Sequence, residues 1–286
     1  MKSFAFVSCP FLLLTLVGHV AGIHAAQVAY WNLNEAAGNI ADGSGNGQTG
    51  VASATGLLYG QSSVPAGTYG ALTIDAATAA AFGTAIDFNK PLAGSFAVAA
   101  TPLLESLFET AGANLTIMAW VRTDALPSGT TYRVFATGPT QGWGFGMANV
   151  DRIRFTSFGF DDFTSSGTIA TNSGWHHIAV TIAGTAGTMY ADGNSIGTFT
   201  YVPGRFGDET QTTYRIGSSV GGTSDLFDGQ IDELKIFDTA LTQAEVRTAA
   251  VTIAATIPEP TVVGSTLLLL LSGVMLRRRI YASSIR

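Results

Sequence analysis

The sequence holds a single cysteine, Cys9, among 286 residues. One thiol has no partner within the chain, so a disulfide scaffold is excluded. Charge is also scarce: Asp, Glu, Lys and Arg make up 12% of the chain. That is about half the usual share of roughly 25%. Basic residues are the scarcer sign, 14 against 20 acidic, for a net charge of −6. A nucleic-acid-binding surface needs the opposite balance, and no nucleic-acid partner is expected. Mean hydropathy is +0.31, too high for a disordered chain. No segment repeats at the period of roughly 20–50 residues that marks solenoids and propellers. Apolar runs as long as the about 20 residues of a membrane-spanning helix are missing too.

Two shorter apolar runs lie at the ends. Lys2 precedes a run from Phe4 to Val17, followed by the small residues Gly18, Ala21, Gly22, Ala25 and Ala26. A charged start, a short apolar core and small residues read as a secretory signal peptide. Cleavage is expected between Gly22 and Ala26, and Cys9 leaves with the peptide. At the other end Pro258-Glu259-Pro260 precedes an apolar stretch from Val262 to Leu276, then Arg277, Arg278 and Arg279. Prolines cannot continue a helix and mark a stiff linker. The stretch spans a thin membrane with help from flanking residues, and the arginines hold the tail inside. This order resembles the PEP-CTERM sorting signal of Gram-negative bacteria. The resemblance implies recognition by an exosortase, processing near the motif, and a final place on the outer cell surface or in the extracellular matrix. The tail from Ile280 to Arg286 runs past the arginines, further than in many members. The chain is therefore divided into a signal peptide (1–25), one domain (27–250), a linker with Pro-Glu-Pro (251–260) and a transmembrane segment with an Arg-rich tail (261–286).

Between the ends, nine basic side chains face nineteen acidic ones, a net charge of −10, and 30 of the 34 glycines lie there. The local pattern is strand. Leu115, Ile117, Ala119 and Val121 alternate with Thr116, Met118, Trp120 and Arg122; Ile178, Val180 and Ile182 alternate with His177, Ala179 and Thr181. Asp192-Gly193-Asn194 is a tight-turn signal between two such runs. One stretch reads as helix, with Thr242 and Glu245 spaced as a capping box. Short strands separated by turn residues predict an all-β, two-sheet antiparallel sandwich with one short C-terminal helix.

Five segments resemble the LamG-like, concanavalin A-like jelly-roll family, in the branch related to pentraxins. They are Ala29 to Glu35 with the loop Asp42 to Gly47, Ala85 to Phe88, Leu115 to Val121, Trp175 to Thr181 with Tyr190 to Gly193, and Phe227 to Thr242. The stretch from Leu92 to Ala113 is longer than usual. The loop after Gly217, acidic in pentraxins that hold paired calcium ions, reads Ser218-Ser219-Val220-Gly221-Gly222 here, against a double calcium site.

Catalysis finds little support. His176 and His177 are neighbours, which point to opposite faces of a strand, and no Gly-x-Ser-x-Gly occurs. Asp161-Asp162 and Asp232-Glu233 are adjacent acids, whereas jelly-roll glycosidases place alternate acids on one face, some 5–9 Å apart. A single calcium ion has candidate ligands in Asp42, within an oxygen-rich glycine loop, and in Asp232, which shares parity with Leu234 and Ile236. Sugar binding has candidate residues in Trp143, Phe160, Asp161 and Asp162, with Phe158 and Phe163 nearby. Aromatic faces stack on sugar rings and acids meet hydroxyls. Trp31, Trp120 and Trp175 lie in strand patterns and are expected in the core. The reading is non-catalytic binding of polysaccharide or another surface polymer. A purely structural or adhesive matrix protein, and a divergent polysaccharide hydrolase or lyase, are the alternatives.

Overall fold

The computed structural model describes residues 25–108, 114–124, 130–138, 142–148, 151–169, 174–202 and 213–253. The expected signal peptide, the Pro258-Glu259-Pro260 motif, the apolar stretch and Arg277 to Arg279 lie outside the described residues. None of the described helices is long and apolar enough to cross a membrane.

The strands are β1 (Gln27–Trp31), β2 (Gly50–Ala52), β3 (Leu57–Ser62), β4 (Gly67–Tyr69), β5 (Leu72–Ile74), β6 (Thr84–Phe88), β7 (Phe96–Ala99), β8 (Leu115–Thr123), β9 (Thr131–Ala136), β10 (Trp143–Ala148), β11 (Arg152–Ser157), β12 (Asp161–Thr164), β13 (His176–Ala183), β14 (Ala186–Ala191), β15 (Asn194–Thr200), β16 (Thr213–Ile216) and β17 (Gly229–Phe237). The helices are α1 (Ala76–Phe82), α2 (Pro102–Phe108) and α3 (Gln243–Ala250), with a 3-10 turn at Lys90–Leu92. One sheet runs β15-β14-β13-β8-β17-β6-β3, with β1 also on β17; the other runs β12-β11-β10-β9-β16-β7-β2. All their pairings are antiparallel. The expected two-sheet sandwich is the observed fold.

The inner faces form one apolar layer. Ile117, Ala119 and Val121 of β8, Ile178, Val180 and Ile182 of β13, and Ile231, Leu234 and Ile236 of β17 meet Phe135, Trp143, Phe145, Phe155 and Tyr214 of the opposite sheet. The outer face of the eight-stranded sheet is covered over its central strands as well. Trp120 joins Leu72, Ile74, Phe82 and Ala250, while Met118, Ala179 and Phe237 pack beneath Val246 of α3. Burial on both faces explains why β17 is buried at every residue.

Local signals work where they are short-range. Asp192 and Gly193 both have positive φ, 48° and 74°, and close a two-residue loop between Ala191 and Asn194. Such a turn needs φ > 0 twice, which favours Asp-Gly. The capping box is made: Thr242 N donates to Glu245 Oε2 at 2.8 Å and Glu245 N to Thr242 Oγ1 at 3.4 Å. Two helices go beyond the one expected. α1 is alanine-rich and begins where Asp75 Oδ1 accepts from Thr78 N at 2.7 Å, an N-cap. α2 occupies the long stretch before β8, with Leu104 N donating to Thr101 Oγ1.

Candidate functional site

The seven-stranded sheet carries a polar outer face over β9 to β12. Register aligns Arg133, Gly146, Arg154 and Thr164 in one row, and Gly144, Thr156 and Asp162 in the next. Phe145 and Phe155, between these rows, belong to the core, so the rows face away from it. A pocket of about 440 Å³ lies here, lined by Thr131, Arg133, Thr156, Ser157, Phe158, Gly159, Phe160, Asp161, Asp162 and Asp225. Its size falls within the roughly 300–1,000 Å³ of small-ligand sites.

Two ion pairs organise its charge. Arg133 Nε donates to Asp225 Oδ2 at 3.2 Å, and Arg154 Nη1 to Asp162 Oδ2 at 3.2 Å. Thr156 Oγ1 donates to Asp162 Oδ1 at 2.6 Å. Arg133 is 3% exposed. Burial pushes its pKa down, against the opposing pull of Asp225. Its Cζ lies 5.0 Å from the centre of the Phe158 ring, a cation–π distance. A glycine at 144 admits this group, because a Cβ there lies 3.0 Å from Arg133 Nη1 and from Phe158 Cζ.

Phe160, Asp161 and Asp162 are thus together at this pocket, Phe160 40% exposed. The two aspartates both line it, although adjacent residues on a strand face opposite ways. The cause is the turn of residues 158–160, from which Asp161 opens β12. Trp143 does not join them. It is fully buried, 5.5 Å from Phe155 at an interplanar angle of 25° and 5.6 Å from Phe135. It shares parity with Phe145 and Met147 on the inner face, where a large ring gains most by leaving water. Phe163 is also withdrawn, stacked on Phe199 at 4.4 Å.

The two calcium candidates have other partners. Asp42 accepts from Tyr30 N (3.0 Å), Ser44 N (2.9 Å), Ser44 Oγ (2.8 Å) and Gln48 N (3.0 Å). Both carboxylate oxygens accept from N–H or O–H donors, which fixes the loop. Asp232 is fully buried, accepting from Ser63 Oγ and from Glu233 N. Burial, then the neighbouring Glu233, pushes its pKa well above the usual carboxylate value. Among the described residues no group of three His, Cys, Asp or Glu is arranged to hold a metal.

Asp232 also departs from the expected parity. The register of β17 shifts between Asp232 and Lys235, and Glu233 has φ of 51°. This bulge turns both acids toward the side covered by α3. Glu233 accepts from Tyr30 Oη at 2.8 Å and pairs with Lys235 Nζ at 3.0 Å. Lys235 Nζ donates to Ala249 O and Thr252 O, and Trp120 Nε1 to Ala250 O at 2.9 Å. The acids are therefore part of the seat of α3. His177 is buried 5.4 Å from Trp120, while His176 Nδ1 lies 2.8 Å from Asp192 Oδ2.

The sequence reading missed Arg133, Thr156 and Asp225, which complete the pocket. It also missed a group of acids on the other sheet. Asp87, 9% exposed, is pushed up to about 6 by burial, then by Asp124, with Arg122 opposing and Asp228 adding. These residues stand on three strands or their ends, and no local spacing signals their meeting.

Two antiparallel sheets packed on an aromatic core, with one sheet covered by helices, define the jelly-roll sandwich class. The chain belongs to the concanavalin A-like lectin/glucanases superfamily, whose family model matches residues 94–247. No curated protein matches the sequence. Solved structures share the fold at low identity. Domain 4 of AbnA, a GH43 extracellular arabinanase from Geobacillus stearothermophilus in complex with arabinotriose, matches with TM-score 0.52 and 17% identity, over 79% of this chain and 98% of that one. The binding domain of botulinum neurotoxin DC in complex with rat synaptotagmin II matches with TM-score 0.51 and 12% identity, over 78% of this chain. A botulinum neurotoxin type C structure, whose cell entry depends on two ganglioside molecules, matches with the same score and identity. This chain spans half the length of those two neurotoxin chains.

Proposed function

We propose that the protein is exported and that its sandwich domain binds carbohydrate or another extracellular polymer without turning it over. The observation that carries this reading is the pocket on the polar outer face of the seven-stranded sheet, where Phe160 stands beside Asp161, Asp162 and the buried Arg133. Aromatic surface and convergent polar groups are what a sugar site requires. The arabinotriose complex and the ganglioside dependence of two proteins of like fold support it. The signal peptide, the Pro-Glu-Pro motif and the arginine cluster support export, membrane anchoring, exosortase processing and retention at the outer surface or in the matrix of a Gram-negative cell.

A glycan panel, with and without calcium, is the test. Dose-dependent binding of a polysaccharide is expected, weakened roughly tenfold by Asp162→Asn, on the scale of one hydrogen bond to a charged group. The melting midpoint with and without a chelator tests the calcium reading, because a ligand held only by the native state raises it, and no shift overturns that reading. Absence of binding across the panel overturns the reading in favour of a purely structural role.

A further inference from the structure

Arg133 Nη1 is a buried donor without a hydrogen-bond partner, on a side chain that lines the pocket. Nε pairs with Asp225 and the guanidinium face meets Phe158. A buried charged donor left unmet is costly, and only an acceptor relieves it. The walls carry the complementary chemistry. Asp161, Asp162 and Asp225 line the same pocket, and an ionised carboxylate only accepts. Thr156 and Arg154 take one direction each of Asp162, and a carboxylate has about four lone-pair sites.

Charge narrows the ligand further. Three carboxylates face one guanidinium in the lining, a net of −2, and Arg154 beside Asp162 brings it to −1. A ligand carboxylate or sulfate satisfies Arg133 but meets the acids. An amine satisfies the acids but gives Nη1 nothing to bond. A hydroxyl both donates and accepts, and two adjacent hydroxyls serve both sides at once.

Resting on the carbohydrate reading of this pocket, we infer that it selects uncharged sugars with vicinal hydroxyls, one accepting from Arg133 Nη1 and its neighbour donating to Asp162, and rejects polyanionic glycans. Phe158, whose ring lies 5.0 Å from Arg133 Cζ, borders the approach of the first hydroxyl. Phe160 covers an apolar face of the ring.

Calorimetric titration of the mature chain with arabinan, xylan, polygalacturonate, heparin and chitosan, at low and high salt, tests this. A neutral glycan is expected to bind with affinity independent of salt, and the polyanions and chitosan about tenfold or more weaker. Arg133→Lys, which loses the planar fork, is expected to weaken the neutral glycan roughly tenfold. Should that buried substitution prevent folding, Asp162→Asn, on a half-exposed side chain, carries the test. It is expected to weaken the neutral glycan and to strengthen polygalacturonate. Tighter binding of polygalacturonate or heparin, lost at high salt, overturns the inference while leaving the carbohydrate reading intact. So does tighter binding of chitosan, or an Asp162→Asn variant identical to wild type. Binding to none of the five overturns the carbohydrate reading itself.

Discussion

His177 sits edge-on to Trp120 in a closed layer, and burial, then the charge of Lys235, drives its pKa down to about 3 against the pull of Asp192. The unfolded chain takes a proton near pH 6.5, the folded one near 3. Stability from this residue is complete above about pH 6.5 and is lost as pH falls toward 3. Replacing it with Asn is expected to remove a slope worth about 2–3 kcal/mol between pH 6.5 and pH 4.5, read by urea denaturation at several pH values. Asp87 acts in the opposite sense. Its folded pKa is raised to about 6, so its contribution is present below the unfolded value near 3.8 and is lost as pH rises through 6. Asp87→Asn is therefore expected to raise the melting midpoint at pH 7 and to leave it unchanged below pH 3.8. An equal effect at both pH values would show that burial does not raise the pKa of this acid. Neither shift is legible in sequence, because each depends on residues from other strands.

At the scale of elements, the bulge in β17 does the most. It lies where the strand changes partner, from β6 at Gly229 to Ile231 to β1 at Leu234 to Phe237. The register shift there brings Glu233 and Lys235, 1% and 2% exposed, to one side and ties the end of α3 to the sheet. Lys235→Met leaves a buried carboxylate without its cation and is expected to cost roughly 3–5 kcal/mol. Adding Glu233→Leu is expected to restore part of that loss, since paired apolar replacement removes both charges. A double-mutant cycle by chemical denaturation measures the coupling; additive losses would refute it. Strand alternation alone placed Asp232 with Leu234 on the inner face, and a shift of one residue inverts that assignment.

The whole molecule is asymmetric in its coverage. The central strands of the eight-stranded sheet are buried on both faces beneath α1, α3 and the β4–β5 hairpin, while among the described residues the seven-stranded sheet leaves a polar face with the pocket. The proposed binding site accordingly lies on the second sheet. The ends make a separate prediction. Intact mass of the mature protein from its host is expected to show a start from Ile23 to Ala26 and an end near Pro258 to Pro260. A chain running from Met1 to Arg286 would sink the export reading. The sequence by itself determined the strand periods, the Asp192-Gly193 turn, the capping box at Thr242 and the order of family motifs, because each is encoded within a few residues. Tertiary structure alone decided that Trp143 is core, that Asp42 closes a loop, that Asp232 and Glu233 share a side, and that Arg133 pairs with Asp225 in a pocket that Asp162 also lines. Those outcomes depend on contacts between distant positions, 92 apart for Arg133 and Asp225 and 203 apart for Tyr30 and Glu233, and on bulges that reverse faces, neither of which leaves a local mark.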